Sequence, residues 1–106
     1  MAATLLAMFK RPEGGEDALE DFMSRYLGEH MPLMEKVPGL RSSVVERVAQ
    51  HYAGEDIVVV TRMEFDDRAA LDAGMASDEM RVAGRNLRDI APGLLTLVAL
   101  DEEPVS

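Results

Sequence analysis

Residues 56–65, DIVVVTRMEF, decide the fold that this sequence predicts. The run is rich in valine, whose branched side chain favours an extended strand. Successive side chains of a strand point to opposite faces of its sheet. Here both sets are apolar, with Ile57 and Val59 on one side and Val58 and Val60 on the other. A strand of this kind belongs to a sheet whose two faces are both covered.

The segments beside this strand predict its neighbours. Upstream, SSVVERVA (Ser42–Ala49) is a second valine-rich strand, and the turn-forming HYAGE connects the two. Downstream, residues 66–91 have a helical pattern. Asp66 or Asp67 is a suitable N-cap for this helical region, and Ser77 marks a second helix start within it.

The two ends of the chain complete the set of elements. AATLLAMF (Ala2–Phe9) and LLTLVAL (Leu94–Leu100) are apolar runs bounded by turn residues, so both are predicted strands. A helix from Glu16 to about His30 follows the first of them. The order is β-α-β-β-α-β, which predicts an α+β, ferredoxin-like sandwich: a four-stranded antiparallel sheet with helices on one face. No repeat or linker divides residues 1–106, so we expect a single domain.

The helices of such a sandwich cover one face of the sheet only. The first and last strands are also apolar on both sides; Leu5 and Phe9 oppose Leu6 and Met8, for example. An uncovered apolar face of this size is unusual for a monomer. We therefore predict a homodimer in which two sheets pack face to face. Coverage of the open face by the tail or a loop is the alternative.

Composition and charge exclude several classes of function. The chain of 106 residues has 11 basic and 20 acidic side chains, and its net charge of −9 repels nucleic-acid phosphates. No apolar run approaches the roughly 20 residues of a membrane helix. With no cysteine and two distant histidines, the sequence predicts no metal site. The N-terminus lacks the basic start of a signal peptide, so we expect a cytoplasmic protein.

The first helix carries a histidine on its buried side. With Leu19 placed at zero and about 100° added per residue, Tyr26 falls at about 340° and His30 at about 20°, in the middle of the apolar stripe. Met31 precedes Pro32, and a proline disfavours helical backbone at the residue before it. The helix is therefore expected to end or kink at Met31. Two interpretations stay open: a core histidine bonded to a carbonyl freed by the break, or a proton-transfer residue beside a cavity.

A longer stretch that includes this histidine resembles a known family. Residues 5–43, LLAMFKRPEGGEDALEDFMSRYLGEHMPLMEKVPGLRSS, resemble the opening of the EthD family, named after ethyl tert-butyl ether degradation. The matching positions are Lys10, Arg11, Pro12, Tyr26, His30, Pro32, Leu33, Pro38, Gly39, Leu40 and Arg41. The later EFDDRAAL and APGLLTLV also fit, so the resemblance extends over nearly the whole chain. Phe9 is a departure, because the family often has tyrosine there.

The resemblance implies a dimeric α+β barrel. Related barrels include cofactor-free monooxygenases, muconolactone-type isomerases, polyketide cyclases and some haem enzymes. The implied function is isomerisation, cyclisation or cofactor-free oxidation of an apolar or aromatic small molecule in a degradative or biosynthetic pathway. The alternatives are a non-catalytic ligand-binding or accessory protein of an oxidative pathway and, less favoured, haem binding through His30.

Six residues are candidates for the site. His30 is the predicted general acid or base, and Tyr26 assists it by orienting the ring or by donating to an oxyanion. Around them we predict that the substrate is bound by Met8, Phe9, Lys10 and Arg11. Ordinary core packing for the methionine and a solvated turn for the two basic residues are the competing interpretations. No cofactor is predicted.

Overall fold

The computed structural model describes residues 2–105. In chain order its elements are β1 (Ala3–Lys10), α1 (Gly15–Arg25), a π-helical turn (Tyr26–His30), α2 (Met31–Met34), β2 (Leu40–Arg47), β3 (Ile57–Phe65), α3 (Arg68–Met75), α4 (Asp78–Ile90) and β4 (Leu95–Leu100). None of these helices, within the described range, is long and apolar enough to cross a membrane.

The four strands form one antiparallel sheet in the order β2-β3-β1-β4. This confirms the ferredoxin-like sandwich predicted from the sequence, since the two central strands are β1 and β3 and the helical segments follow β1 and β3. The register places Leu5 of β1 between Met63 of β3 and Ala99 of β4. Side chains in such a row point to one face, so the register defines which residues meet the helices.

The side of the sheet that faces the helices is apolar, whereas the open side mixes apolar with charged side chains. Arg62 of β3 lies opposite Leu6 and 3.8 Å from Glu46 of β2. On the helix side Leu5, Phe9 and Val59 are buried in the core. On the other side, between the same strands, Leu6 of β1 is only half-buried and lies opposite Val98 of β4. The predicted division of apolar side chains between the two faces is therefore observed, and the helices cover one of them.

Side-chain caps start the two later helices. Asp67, not Asp66, is the N-cap of α3 and accepts a hydrogen bond of 2.8 Å from the backbone N–H of Ala70. Ser77 caps α4 in the same way, with 3.1 Å between its Oγ and the nitrogen of Met80. Each cap satisfies a backbone N–H that has no partner within the helix. The helical region predicted over residues 66–91 is thus two helices, and the second begins where the sequence indicated.

The regular α-helix is interrupted beside Met31, as predicted, but the backbone does not leave the helical region there. α1 ends at Arg25, and after the π-helical turn a short helix, α2, begins at Met31 with Pro32 in its first turn. Met31 keeps helical backbone angles (φ −61°, ψ −39°) although a proline follows it, and the helix continues to Met34. Immediately before Pro32 is the π-helical turn, in which the N–H of Met31 bonds to the carbonyl of Tyr26, five residues back. Proline cannot supply the next N–H of an α-helical ladder, and the wider turn accommodates its ring.

Candidate functional site

Aromatic rings form the floor of the site. Phe9 of β1, Phe22 of α1 and Tyr26 of the π-helical turn lie with their ring centroids 5.0 to 5.3 Å apart. Phe9 and Tyr26 are almost fully buried. The hydroxyl of Tyr26 is hydrogen-bonded to that of Thr61 on β3, at 2.5 Å. Burial raises the pKa of Tyr26 to about 12, and the bond to Thr61 only partly opposes this. Tyr26 is therefore neutral at physiological pH.

His30 stacks on this floor. Its ring lies 5.3 Å from that of Tyr26 and within 19° of parallel. The wide π-helical turn brings both rings to one side of the helix, and such turns are frequent at functional sites. Only 4% of His30 is exposed. Burial lowers the pKa of His30 below its ordinary value of 6.5, and the interactions with Asn86 and with the backbone of Ala83 oppose this only in part. The imidazole is thus neutral near pH 7.

A chain of polar contacts fixes which ring nitrogen carries the proton. Arg25 donates two hydrogen bonds to the carboxylate of Glu29, at 2.8 and 3.1 Å. Glu29 accepts the amide N–H of Asn86 at 3.2 Å, which turns the carbonyl oxygen of Asn86 toward His30. Because that oxygen only accepts, Nδ1 of His30 is the donor across their 3.2 Å contact. The lone pair of the neutral ring is then on Nε2, the nitrogen that can take a proton.

Beside His30 is a cavity of about 500 Å³, between α4, the π-helical turn and the sheet. This volume lies in the range of small-molecule sites. Its wall is mostly apolar, and four methionines contribute soft side chains that adapt to ligand shape. The apolar lining includes Leu5, Ala7, Phe9, Met34, Met63, Met75, Ala76, Met80, Leu87, Ala91, Pro92, Leu95 and Leu97. Such a cavity suits an apolar or aromatic molecule.

The six predicted site residues fall into two groups. Phe9, Tyr26 and His30 are brought together and line the cavity. Met8 points to the opposite face of β1, where it pairs with Val60 and Thr96.

Two further candidates lie outside the cavity wall. Lys10 is exposed at the end of β1, and Arg11 lies just beyond it. Arg11 donates to Asp56 at 2.8 Å and lies 3.8 Å from Glu16. This pairing agrees with the solvated-turn interpretation, and the geometry gives Met8, Lys10 and Arg11 no place in the cavity wall.

Three polar residues of α4 were missed by the sequence analysis. Asn86 orients His30, and Arg81 and Arg88 line the cavity. The helical spacing of α4 carried the signal, since Asn86 follows the buried Ala83 by three residues and thus flanks the apolar stripe. No local pattern, however, indicates that it meets a side chain 56 positions earlier.

The donor set offers little to a metal ion. Within the part of the chain that the structure describes, no three histidine, cysteine or carboxylate side chains are grouped so as to hold one.

Comparison with solved structures places this architecture in a family. An EthD-family protein from Bacillus halodurans C-125 is 32% identical to the chain. The match covers 97% of this chain and 100% of that protein, and the two structures superpose with a TM-score of 0.84. The chain belongs to the EthD family. No family model and no curated protein gives a match to the sequence.

More distant structures share the EthD-family fold only. A dimeric protein of ferredoxin-like fold from Bacteroides fragilis NCTC 9343 is 18% identical, with a TM-score of 0.66 and coverage of 95% of this chain and 96% of that chain. SnoaB, a cofactor-independent oxygenase from Streptomyces nogalater, is 16% identical, with a TM-score of 0.61 and coverage of 98% of this chain and 95% of that chain.

Proposed function

We propose that this EthD-family protein is an enzyme that acts on an apolar or aromatic small molecule, with His30 as its general base and acid. One observation carries the proposal: a buried histidine lines an apolar cavity of about 500 Å³, and Asn86 holds its Nδ1–H. Isomerisation, cyclisation and cofactor-free oxidation all begin with removal of a proton from the substrate. A neutral imidazole with its lone pair on Nε2 is suited to that step.

The other site residues act on His30 rather than on the substrate. Tyr26 supports the imidazole by stacking, and its hydroxyl is already bonded to Thr61, which favours an orienting role over donation to an oxyanion. Asn86 fixes the ring through Nδ1 and would stabilise the imidazolium formed after proton removal. This arrangement of base and orienting group is common to enzymes that move protons with histidine.

Among the three reactions, cofactor-free oxidation has support from a structure of the same fold. SnoaB is a cofactor-independent oxygenase, and its likeness to this chain is one of architecture. In such a reaction the deprotonated substrate itself would supply electrons to O₂. The base needed for the first step is the one that His30 provides.

A matched pair of assays tests the proposal without knowledge of the natural substrate. 2-Tetralone is a bicyclic aromatic ketone with acidic C–H bonds beside its carbonyl, and exchange of these hydrogens in D₂O is visible by NMR. Wild-type protein is expected to accelerate the exchange above the buffer rate, because Nε2 removes the proton. His30→Gln should lose this acceleration, whereas the exposed His51→Gln should keep it.

The competing function is a ligand-binding or accessory protein without catalysis. It predicts that 2-tetralone binds with no acceleration of exchange, and that His30→Gln leaves binding unchanged. A Soret shift on addition of hemin, lost in His30→Gln, would instead identify His30 as a haem ligand. Either result would remove the general-base role.

We further propose that the protein is a homodimer whose sheets pack face to face. The partly apolar face with Leu6 has no helix over it, and a distant structure of this fold is described as dimeric. A single domain over residues 1–106 and a cytoplasmic location also remain proposals. Met1 and Ser106 lie outside the described residues.

A further inference from the structure

We propose that the cavity takes ligands whose apolar body ends in a carboxylate or a similar anion, and that Arg88 of α4 binds this group. The inference rests on the proposed function, since it names the substrate class of the same cavity. It starts from the charged part of a wall that is otherwise apolar. Arg81 and Arg88 both line the cavity, together with Gly84 between them.

These three residues lie along one side of α4. At about 100° per residue, positions 81, 84 and 88 fall within about 60° of one another. A Cβ at Gly84 would lie 3.6 Å from Nη1 of Arg88, the one atom within 4 Å of it in the described structure apart from the nearby backbone of α4. The guanidinium of Arg88 therefore lies over Gly84, whose missing side chain lets it approach the helix at the edge of the cavity.

Arg88 combines a place at the cavity with the lack of a carboxylate partner among the described residues; Arg85 also lacks a partner there but does not line the cavity. Seven arginines have a carboxylate within 4.0 Å inside the described range: Arg11, Arg25, Arg41, Arg47, Arg62, Arg68 and Arg81. No such partner is found there for Arg88, although 20 acidic residues are present in the sequence. The neighbouring Asp89 is occupied by Arg25, at 3.0 Å. Arg88 is thus free to bind an anion with the fork of its guanidinium.

Arg81 is expected to contribute less. Its Nη1 lies 2.9 Å from the carboxylate of Asp78, one turn earlier on α4, and that carboxylate already offsets its charge. Both side chains of this pair are largely exposed, so the pair is weak and Arg81 can still add to the local positive potential.

The positions of Arg88 and His30 suit the two ends of one ligand. Ala83 and Asn86, which contact His30, lie on one flank of α4, and Arg88 lies on the other. Leu87 is between them on the helix surface and lines the cavity. A ligand could therefore place its reacting carbon at His30, its apolar body on Leu87 and its anion at Arg88. The same interaction would discriminate against neutral molecules of equal shape.

Two compounds of nearly identical shape test this inference. 2-Naphthylacetic acid carries a carboxylate where 2-naphthylacetamide carries a neutral amide, and calorimetry measures the binding of each at physiological salt. Wild-type protein is expected to bind the acid about tenfold more tightly, the difference that one charge-assisted hydrogen bond supplies. Arg88→Met keeps an apolar stem but should lose this preference, with amide binding unchanged.

Arg85→Met is the matched control. Arg85 is an exposed arginine of the same helix, has no carboxylate partner within residues 2–105 and does not line the cavity. It should leave the preference for the acid intact. Equal binding of acid and amide by the wild type would overturn the inference, and so would an equal loss in both variants, which would indicate general charge attraction.

Failure of this inference can be told apart from failure of the proposed function. 2-Tetralone is neutral, so its exchange at His30 does not need Arg88. Accelerated exchange with no preference for the acid would leave the general base in place and remove the anion site. Binding of neither naphthyl compound would also remove the anion site.

Discussion

His30 is buried among aromatic rings and also lies against a cavity, and both conditions affect its protonation. In the folded protein burial lowers the pKa of His30 below the ordinary value of 6.5, which the unfolded chain retains. The unfolded state then binds the proton more tightly. The contribution of His30 to stability is therefore complete above about pH 6.5 and is lost as the pH falls toward the lower folded pKa.

The lowered pKa of His30 gives a prediction for how stability depends on pH. The free energy of unfolding of the wild type, measured with urea, should decrease more steeply than that of His30→Gln as the pH is lowered from about 7 to about 5. His51→Gln is the control, because His51 is exposed on the hairpin that joins β2 and β3. Equal slopes for the wild type and His30→Gln would contradict the burial of a neutral imidazole.

The hydroxyl pair of Tyr26 and Thr61 gives a second prediction. Thr61 is fully buried, so Tyr26→Phe leaves its hydroxyl without this partner and should lower the free energy of unfolding by about 1–3 kcal/mol. Adding Thr61→Val removes the unpaired group and should recover part of the loss. Urea denaturation of the four proteins in the cycle measures both effects. Independent, additive losses would mean that the two hydroxyls do not interact.

The continuous helical segment from Gly15 to Met34 illustrates which details a sequence conceals. The wheel placed Tyr26 and His30 correctly on the buried side because apolar spacing reports the core directly. On the same wheel Leu27 falls at about 80°, at the edge of the apolar stripe, and its side chain is 50% exposed. An ideal wheel assumes 3.6 residues per turn, and the π-helical turn departs from that value at these positions.

Substitution by alanine is expected to change the stability of the protein in opposite directions at two helical glycines. Gly28 has helical backbone and open space where a Cβ would go, so Gly28→Ala should stabilise the protein by about 0.5–1 kcal/mol. A Cβ at Gly74 would lie 2.8 Å from the ring of the buried Phe65 and 3.1 Å from the carbonyl of Pro38. Gly74→Ala should therefore destabilise it by about 1–3 kcal/mol. Thermal denaturation compares the two; the same sign for both would contradict these local geometries.

The architecture of the chain was predictable because it depends on patterns along the sequence. Valine-rich strands, two helical stretches and their order are local features, and together they permit few topologies. The site was predictable only in part. His30 and Phe9 lie on recognisable elements, whereas the contacts of Asn86 with His30 and the place of Arg88 at the cavity depend on how α4 packs over the sheet.

The uncovered face of the sheet predicts the oligomeric state. Met8→Glu places a charge on this face between the uncharged Val60 and Thr96, where a partner sheet would bury it, and should convert a dimer into monomers in sedimentation experiments. Val82→Glu is the control, since Val82 is an exposed apolar residue of α4, away from that face. A monomeric wild-type protein, or a Met8→Glu variant that stays dimeric, would contradict packing through the sheet.

The most direct test of the proposed chemistry is a ¹⁵N NMR titration of His30 with and without 2-tetralone. We expect that near neutral pH Nδ1 is protonated and Nε2 is not. The ring should titrate below about pH 6.5, and the ligand should shift the Nε2 resonance. Protonation of Nε2 instead of Nδ1 would contradict these expectations. So would a ring that neither titrates before the protein unfolds nor responds to the ligand, because His30 would then be a closed core residue and no general base.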